Sequence, residues 1–213
     1  TLGNTLWTAT TNNANTNTYQ SPIVSNGLVY ICNDNSRFIY AFNAATGSPA
    51  WTYDAREGTT PPTTTFGSAN LAIAGNTLYI SSLGFTYAIN AATGALRWKT
   101  LAGSFPVLPV ISNGKVYVMG NHFMFTLDSA TGAILRIKQD FVLFHNPKSL
   151  NIANGIFYYT DEFSTVAFDT SININVVWRN NNVFPGLTDM DQITNSPMII
   201  GNRAYCRKPG GAV

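Results

Sequence analysis

"YAFNAATGSPAW" occupies Tyr40–Trp51, and "YAINAATGALRW" occupies Tyr87–Trp98. A third copy, "FTLDSATGAILRI", runs from Phe125 to Ile137, and a fourth, "VAFDTSININVVW", ends at Trp178 without the Thr-Gly. Upstream of the copies stands a second shared unit, in the order "SPIVSNGLVYIC", "NLAIAGNTLYIS", "LPVISNGKVYVM", "LNIANGIFYYT" and "SPMIIGNRAYCR". Recurrence at about 40–50 residues with this content marks propeller blades rather than helical solenoids.

Each part of the repeat has a mechanical reading. In "IVSNGLVYI" two β-branched runs flank Asn26-Gly27, and Asn113-Gly114 and Asn154-Gly155 recur at the same place. Asn-Gly accepts the positive φ values of a type I′ turn, so each unit opens with a tight hairpin. Next comes an alternating strand such as "RFIYAFNA", which puts Phe38, Tyr40 and Phe42 on one face. "NAATG" then turns the chain: Asn43 can bond the backbone ahead of it, and Gly47 supplies the left-handed residue. Trp51 and Trp98 each stand four residues past that glycine, as Trp7 stands four past Gly3. A tryptophan fixed in the outermost strand is expected to pack between neighbouring blades, since one sheet cannot cover both of its faces. No stretch keeps a 3.6-residue period. The expected fold is all-β: a β-propeller of four-stranded antiparallel blades, four full repeats plus a split or truncated fifth.

The stretch "SPIVSNGLVYICNDNSRFIYAFNAATGSPAWTYD" resembles the pyrroloquinoline-quinone-like (PQQ-like) propeller repeat, whose hallmark is a strand ending Ala-x-Asp-Ala-x-Thr-Gly followed by a Trp. Asn43 and Asn90 replace the family's Asp, whereas Asp128 and Asp169 keep it. The likeness runs from Thr1 to Tyr205 and sets repeats at about 19–54, 66–101, 105–139 and 148–180, with partial ones at 1–9 and 196–213. Residues 1–213 are then one PQQ-like propeller domain or a fragment of a larger ring. The structural repeat residues are Gly27, Gly47, Trp51, Gly94, Trp98, Gly132 and Trp178.

Composition narrows the function classes. Charged residues are only 10% of the 213, and Asn and Thr take their place on the surface. The net charge of +2 is scattered, which leaves no basic footprint for nucleic acid. No apolar run approaches the ~20 residues of a membrane span. No Asn-x-Ser/Thr sequon occurs, which sits with a bacterial envelope better than with a eukaryotic glycoprotein. A secreted, periplasmic or cell-surface location is expected. Cys32 and Cys206 read as two buried thiols, with a disulfide between first and last repeats as the alternative.

Catalytic signals are sparse. The resemblance implies, for the family's enzymes, a quinone held over an indole, beneath a vicinal disulfide and beside calcium. This sequence has no Cys-Cys pair, and its tryptophans sit in the fourth strand. His122 and His145 follow neither a metal-ligand nor a triad pattern. Asp189 and Asp191, in the longest connection (179–195), are a candidate Ca²⁺ pair set against a plain solvated turn. An aromatic precedes each first strand: Tyr19, Phe66, Phe105, Phe144 and Phe184. These rings are a candidate ligand or partner face, or packing of one blade's loop on the next. The reading favoured is a non-catalytic extracytoplasmic module that binds a protein or glycan and carries no cofactor, with further blades or subunits possible. Its rivals are a fragment of a quinoprotein oxidoreductase using PQQ and calcium, and a structural subunit of a surface assembly.

Overall fold

The computed structural model describes residues 3–11, 21–32, 38–55, 70–82, 84–103, 108–120, 122–139, 149–160, 164–169, 175–181, 198–200 and 203–205. Among them there is no helix, and the strands form four antiparallel four-stranded sheets plus one hairpin. The chain is a β-propeller, and each sheet is one blade.

Two compact units, Thr1–Pro106 and Val107–Val213, carry two full blades each. In the first unit, blade 1 is β1 (Ile23–Ser25), β2 (Leu28–Cys32), β3 (Phe38–Asn43) and β4 (Pro49–Asp54). Blade 2 is β5 (Asn70–Ala74), β6 (Thr77–Ser82), β7 (Phe85–Asn90) and β8 (Leu96–Leu101). In the second unit, blade 3 is β9 (Val110–Ser112), β10 (Lys115–Gly120), β11 (Phe123–Asp128) and β12 (Ile134–Gln139). Blade 4 is β13 (Ser149–Ala153), β14 (Ile156–Thr160), β15 (Ser164–Asp169) and β16 (Val176–Asn181). The hairpin β17 (Met198–Ile200) and β18 (Arg203–Tyr205) follows. Strands meet in sequence order within every blade, so all the pairing is local. Within the units, the first strand of one blade lies beside the first strand of the next, β1 by β5 and β9 by β13.

The turn chemistry sets the register. Ser25 pairs with Leu28, Ser112 with Lys115 and Ala153 with Ile156, leaving the Asn-Gly pairs as two-residue loops. Asn26, Asn113 and Asn154 take φ of 50°, 48° and 52°, with the following glycines at 71–74°. This is the double positive φ of a type I′ turn, and a β-branched residue there would be strained. Blade 2 writes Gly75-Asn76 instead, and there the positive φ falls on Gly75 alone, the pattern of type II′.

The middle strands carry the core. In blade 2 every residue of β6 is buried, and Tyr30, Ile39, Leu78, Ile80 and Ile89 are fully enclosed in one cluster. The alternating aromatics line up as expected: Phe38–Tyr40 and Tyr40–Phe42 rings lie 6.0 and 6.2 Å apart. Phe85–Tyr87 and Phe123–Phe125 repeat the spacing at 6.3 and 6.1 Å.

Candidate functional site

One row of side chains crosses each blade at the same register. Tyr30 pairs with Ala41 and Ala41 with Trp51; Tyr79, Ala88 and Trp98 do the same, as do Tyr158, Ala167 and Trp178. A bulge follows the small residue in every blade, between Ala41/Phe42, Ala88/Ile89, Thr126/Leu127 and Ala167/Phe168. Because alanine leaves the middle of the row low, the tyrosine reaches across it to the indole. The Tyr–Trp centroids lie 5.8, 5.9 and 6.2 Å apart in blades 1, 2 and 4. Blade 3 differs as a set, with Thr126 and Arg136 in the alanine and tryptophan places. Its Tyr117 packs on Phe157 of blade 4 instead, at 5.6 Å.

The indoles dock forward into the next blade's turn. Trp7 Nε1–H donates to the Ala44 carbonyl, and Trp51 Nε1–H to the Ala91 carbonyl, both at 2.9 Å. Ala91 also accepts the Tyr30 hydroxyl at 3.2 Å. The glycine of each turn lies flat under the ring. A Cβ on Gly47 would fall 2.5 Å from Trp7 Cε3, and one on Gly94 would fall 2.8 Å from Trp51 Cδ2 and Cε3. Trp51 therefore does pack between blades 1 and 2, Trp7, which lies outside the strands, packs on the turn of blade 1, and the turn glycine is needed twice over, for its φ of 72–74° and for its missing side chain.

The turn is rigid before anything docks on it. Asn43 Oδ1 accepts the Ala45 and Thr46 amides at 3.0 Å, and Asn90 Oδ1 accepts those of Ala92 and Thr93 at 3.0 and 3.3 Å. Asp128 Oδ1 does the same with Ala130 and Thr131 and also takes the Thr131 hydroxyl at 2.8 Å. That hydroxyl, foremost, and the Thr131 amide hold the Asp128 carboxyl below its usual value. Asn and Asp thus do one job here, that of an oxygen acceptor. In blade 4, where the Thr-Gly is missing, Asp169 N bonds Asn175 O at 2.9 Å, closing a turn one residue longer.

The two ends of a blade are therefore unlike. At the turn end sit the hairpin loops and the Asx turns, tied by Ala91 N to Asn76 O at 3.1 Å. At the opposite, connection end β4 stops and β5 starts, so this end receives the longest connections. Buried hydroxyls gather there, a feature that apolar patterning does not reveal: Ser81, Ser82 and Thr86 in blade 2, Ser164 and Thr165 in blade 4. Thr86 Oγ1–H donates to the Ala102 carbonyl at 2.8 Å.

Of the residues singled out in the sequence, Tyr19, Phe66, Phe105, Phe144, Phe184, Asp189, Asp191, His145 and Cys206 lie outside the described residues. Cys32 is buried at the end of β2. His122 stands in the turn just before β11 with φ 58°. Among the described residues no three His, Cys, Asp or Glu side chains converge as metal ligands. The 213 residues contain no adjacent cysteines that could form a vicinal disulfide, and among the described residues the indoles of Trp7 and Trp51 are committed to turns.

The family described as "Outer membrane protein assembly factor BamB" matches residues 1–180. No curated protein matches the sequence. Among solved structures, BamB from Moraxella catarrhalis is similar at 15% identity and TM-score 0.56, over 73% of this chain and 50% of that one. A quinohemoprotein alcohol dehydrogenase from Comamonas testosteroni is similar at 16% identity and TM-score 0.63, over 91% and 39%. Saccharomyces cerevisiae Sqt1 is similar at 15% identity and TM-score 0.59, over 71% and 43%. These likenesses are of fold, and the chain spans half or less of each of those proteins.

Proposed function

The chain belongs to the family of the outer membrane protein assembly factor BamB, and from that premise we propose that it is a non-catalytic, extracytoplasmic scaffold that binds a protein partner. The family match over residues 1–180 carries this reading. The use of the repeat's residues agrees with it. Where the repeat is complete, its tryptophan and glycine are spent on docking to a turn and its Asx side chain on holding that turn. What remains for recognition is the connection end, where loops on a rigid frame tend to carry function. A surface poor in charge suits contact with protein through backbone and amide groups, and it gives no field for nucleic acid. A glycan is the lesser expectation, because its only support is the set of five aromatics in the connections.

Strand β16 runs on to Asn181, so the connection expected from 179 begins only at 182, and the test replaces residues 182–195, which carry Asp189 and Asp191, with a Gly/Ser linker of equal length. Retention of the partner is then measured on protein isolated from its own source. Loss of the partner with an unchanged melting temperature is the expected result. Undiminished binding would remove that loop from the site. The fold likeness to a quinohemoprotein dehydrogenase motivates one control: quinone with calcium is expected to give no dye reduction.

A further inference from the structure

The asparagines at the turn ends of the blades fall into two classes. Asn43 and Asn90 have their side-chain oxygens engaged by the amides that follow, and each is succeeded by an alanine. Asn76, in the hairpin of blade 2, donates from Nδ2 to Asn90 Oδ1 at 3.4 Å. Its carbonyl accepts from the Ala91 amide and from Arg97 Nη2, and the β-branched Thr77 follows it. Asn26, Asn113 and Asn154 share none of these restraints. All three are exposed, their carboxamides make no hydrogen bond to another described residue, and a glycine follows each. Each is the first residue of a two-residue loop whose ladder closes at the flanking pair, Ser25–Leu28, Ser112–Lys115 or Ala153–Ile156. The amide between the asparagine and its glycine therefore stands outside the ladder.

We propose that Asn26, Asn113 and Asn154 are sites of spontaneous covalent modification, in which the backbone amide of the following glycine displaces the side-chain ammonia. The glycine nitrogen gives up its proton and bonds to Asn Cγ; the Cγ–Nδ2 bond breaks, and ammonia leaves with that proton. Water then opens the cyclic imide. Attack at Cγ yields aspartate, and attack at the main-chain carbonyl yields isoaspartate, whose backbone runs through Cβ and Cγ. Water is the one co-reactant, and nothing is oxidised or reduced. The local build favours ring closure at these positions. Glycine puts no Cβ beside the attacking nitrogen, and even a Cβ on Gly27 or Gly114 would meet nothing within 4 Å, so the space around the closing ring is open. The carboxamide breaks no hydrogen bond within the chain when it turns, and the rotation is confined to the two loop residues while the ladder stays paired. Isoaspartate then lengthens the main chain of a loop that the register limits to two residues. Each conversion also adds one negative charge, so three take the formal net charge from +2 to −1.

The experiment holds the folded protein in mildly alkaline buffer and follows each asparagine by peptide mapping with mass spectrometry. Isoaspartate is scored with a carboxyl methyltransferase and labelled S-adenosylmethionine. The expected result is loss of the amide at Asn26, Asn113 and Asn154 several-fold faster than at Asn43, Asn76 and Asn90, with isoaspartate formed beside aspartate. In Gly27→Ala, conversion at Asn26 is expected to fall several-fold, while Asn113 and Asn154 in the same molecules keep their rates and report an intact fold. Equal rates in the two classes of asparagine would overturn the proposal. So would an Asn26 rate unmoved by Gly27→Ala. Conversion of the three confined to protein unfolded in urea would mean that the folded turn keeps the reacting atoms apart, and that too would overturn it.

Discussion

Trp51 and Gly94 form one joint between blades: the indole lies where a Cβ on Gly94 would stand, and its N–H reaches the Ala91 carbonyl three residues earlier in the turn. Trp7 and Gly47 repeat the joint. Its parts come from segments that are separately rigid, a bulged outer strand and an Asx turn, so docking costs little further ordering.

The two roles of glycine can be separated by substitution. Gly27→Ala meets nothing within 4 Å, so only the left-handed φ of 74° opposes it, and a loss of about 1 kcal/mol is expected. Gly94→Ala has the same φ and must also push the Trp51 ring aside, which brings the loss to about 3 kcal/mol. Urea unfolding of the two variants measures the difference. Equal losses would show that the indole gives way freely.

The Ala91 carbonyl has two donors from blade 1, the Trp51 indole and the Tyr30 hydroxyl. Trp51→Phe or Tyr30→Phe alone leaves it one partner, at about 1 kcal/mol each. The double variant removes both hydrogen bonds and is expected to cost more than the sum, because a carbonyl without a partner bears its own desolvation penalty. Strict additivity in the thermodynamic cycle would contradict a shared acceptor.

Asp128 gives the fold one pH-dependent turn. Its carboxyl titrates lower in the folded chain than in the unfolded one, so its contribution is present above the unfolded value and is lost as pH falls through the folded one. Asp128→Asn keeps the acceptor oxygen, as Asn43 and Asn90 do, and is expected to flatten stability against pH below about 4. Thermal melts from pH 7 to 2.5 measure this, and an unchanged profile would refute it.

Tyr87 acts at the other extreme. Burial pushes its hydroxyl up to about 12, so the folded state holds its proton where the unfolded chain releases it. Stability from this group is complete below pH 10 and declines as pH rises from there toward 12. Tyr87→Phe should remove that part of the alkaline decline. Absorbance at the tyrosinate band that rises before unfolding, in the unsubstituted protein alone, would argue against a buried hydroxyl.

Much of this was legible in the sequence, for physical reasons. Asn-Gly pairs and alternating aromatics act locally, so hairpins and third strands could be read straight from the letters. The place of Trp51 between blades was legible, because a constant offset of tryptophan from glycine means a constant geometry. The shared carbonyl of Ala91 was not, since a backbone oxygen leaves no mark in the sequence. Nor were the buried hydroxyls of Ser81 and Thr86, which patterning reads as surface. The five connection aromatics and the Asp189/Asp191 pair lie outside the described residues, and they enter the account only through the proposed partner face.

The most direct test of the account is a native mass spectrum of the whole protein taken from its own source under gentle ionisation. The account predicts a non-covalent complex with a second, different polypeptide and no small adduct. A bound mass suited to a quinone, together with calcium, would contradict it and return the chain to the oxidoreductases.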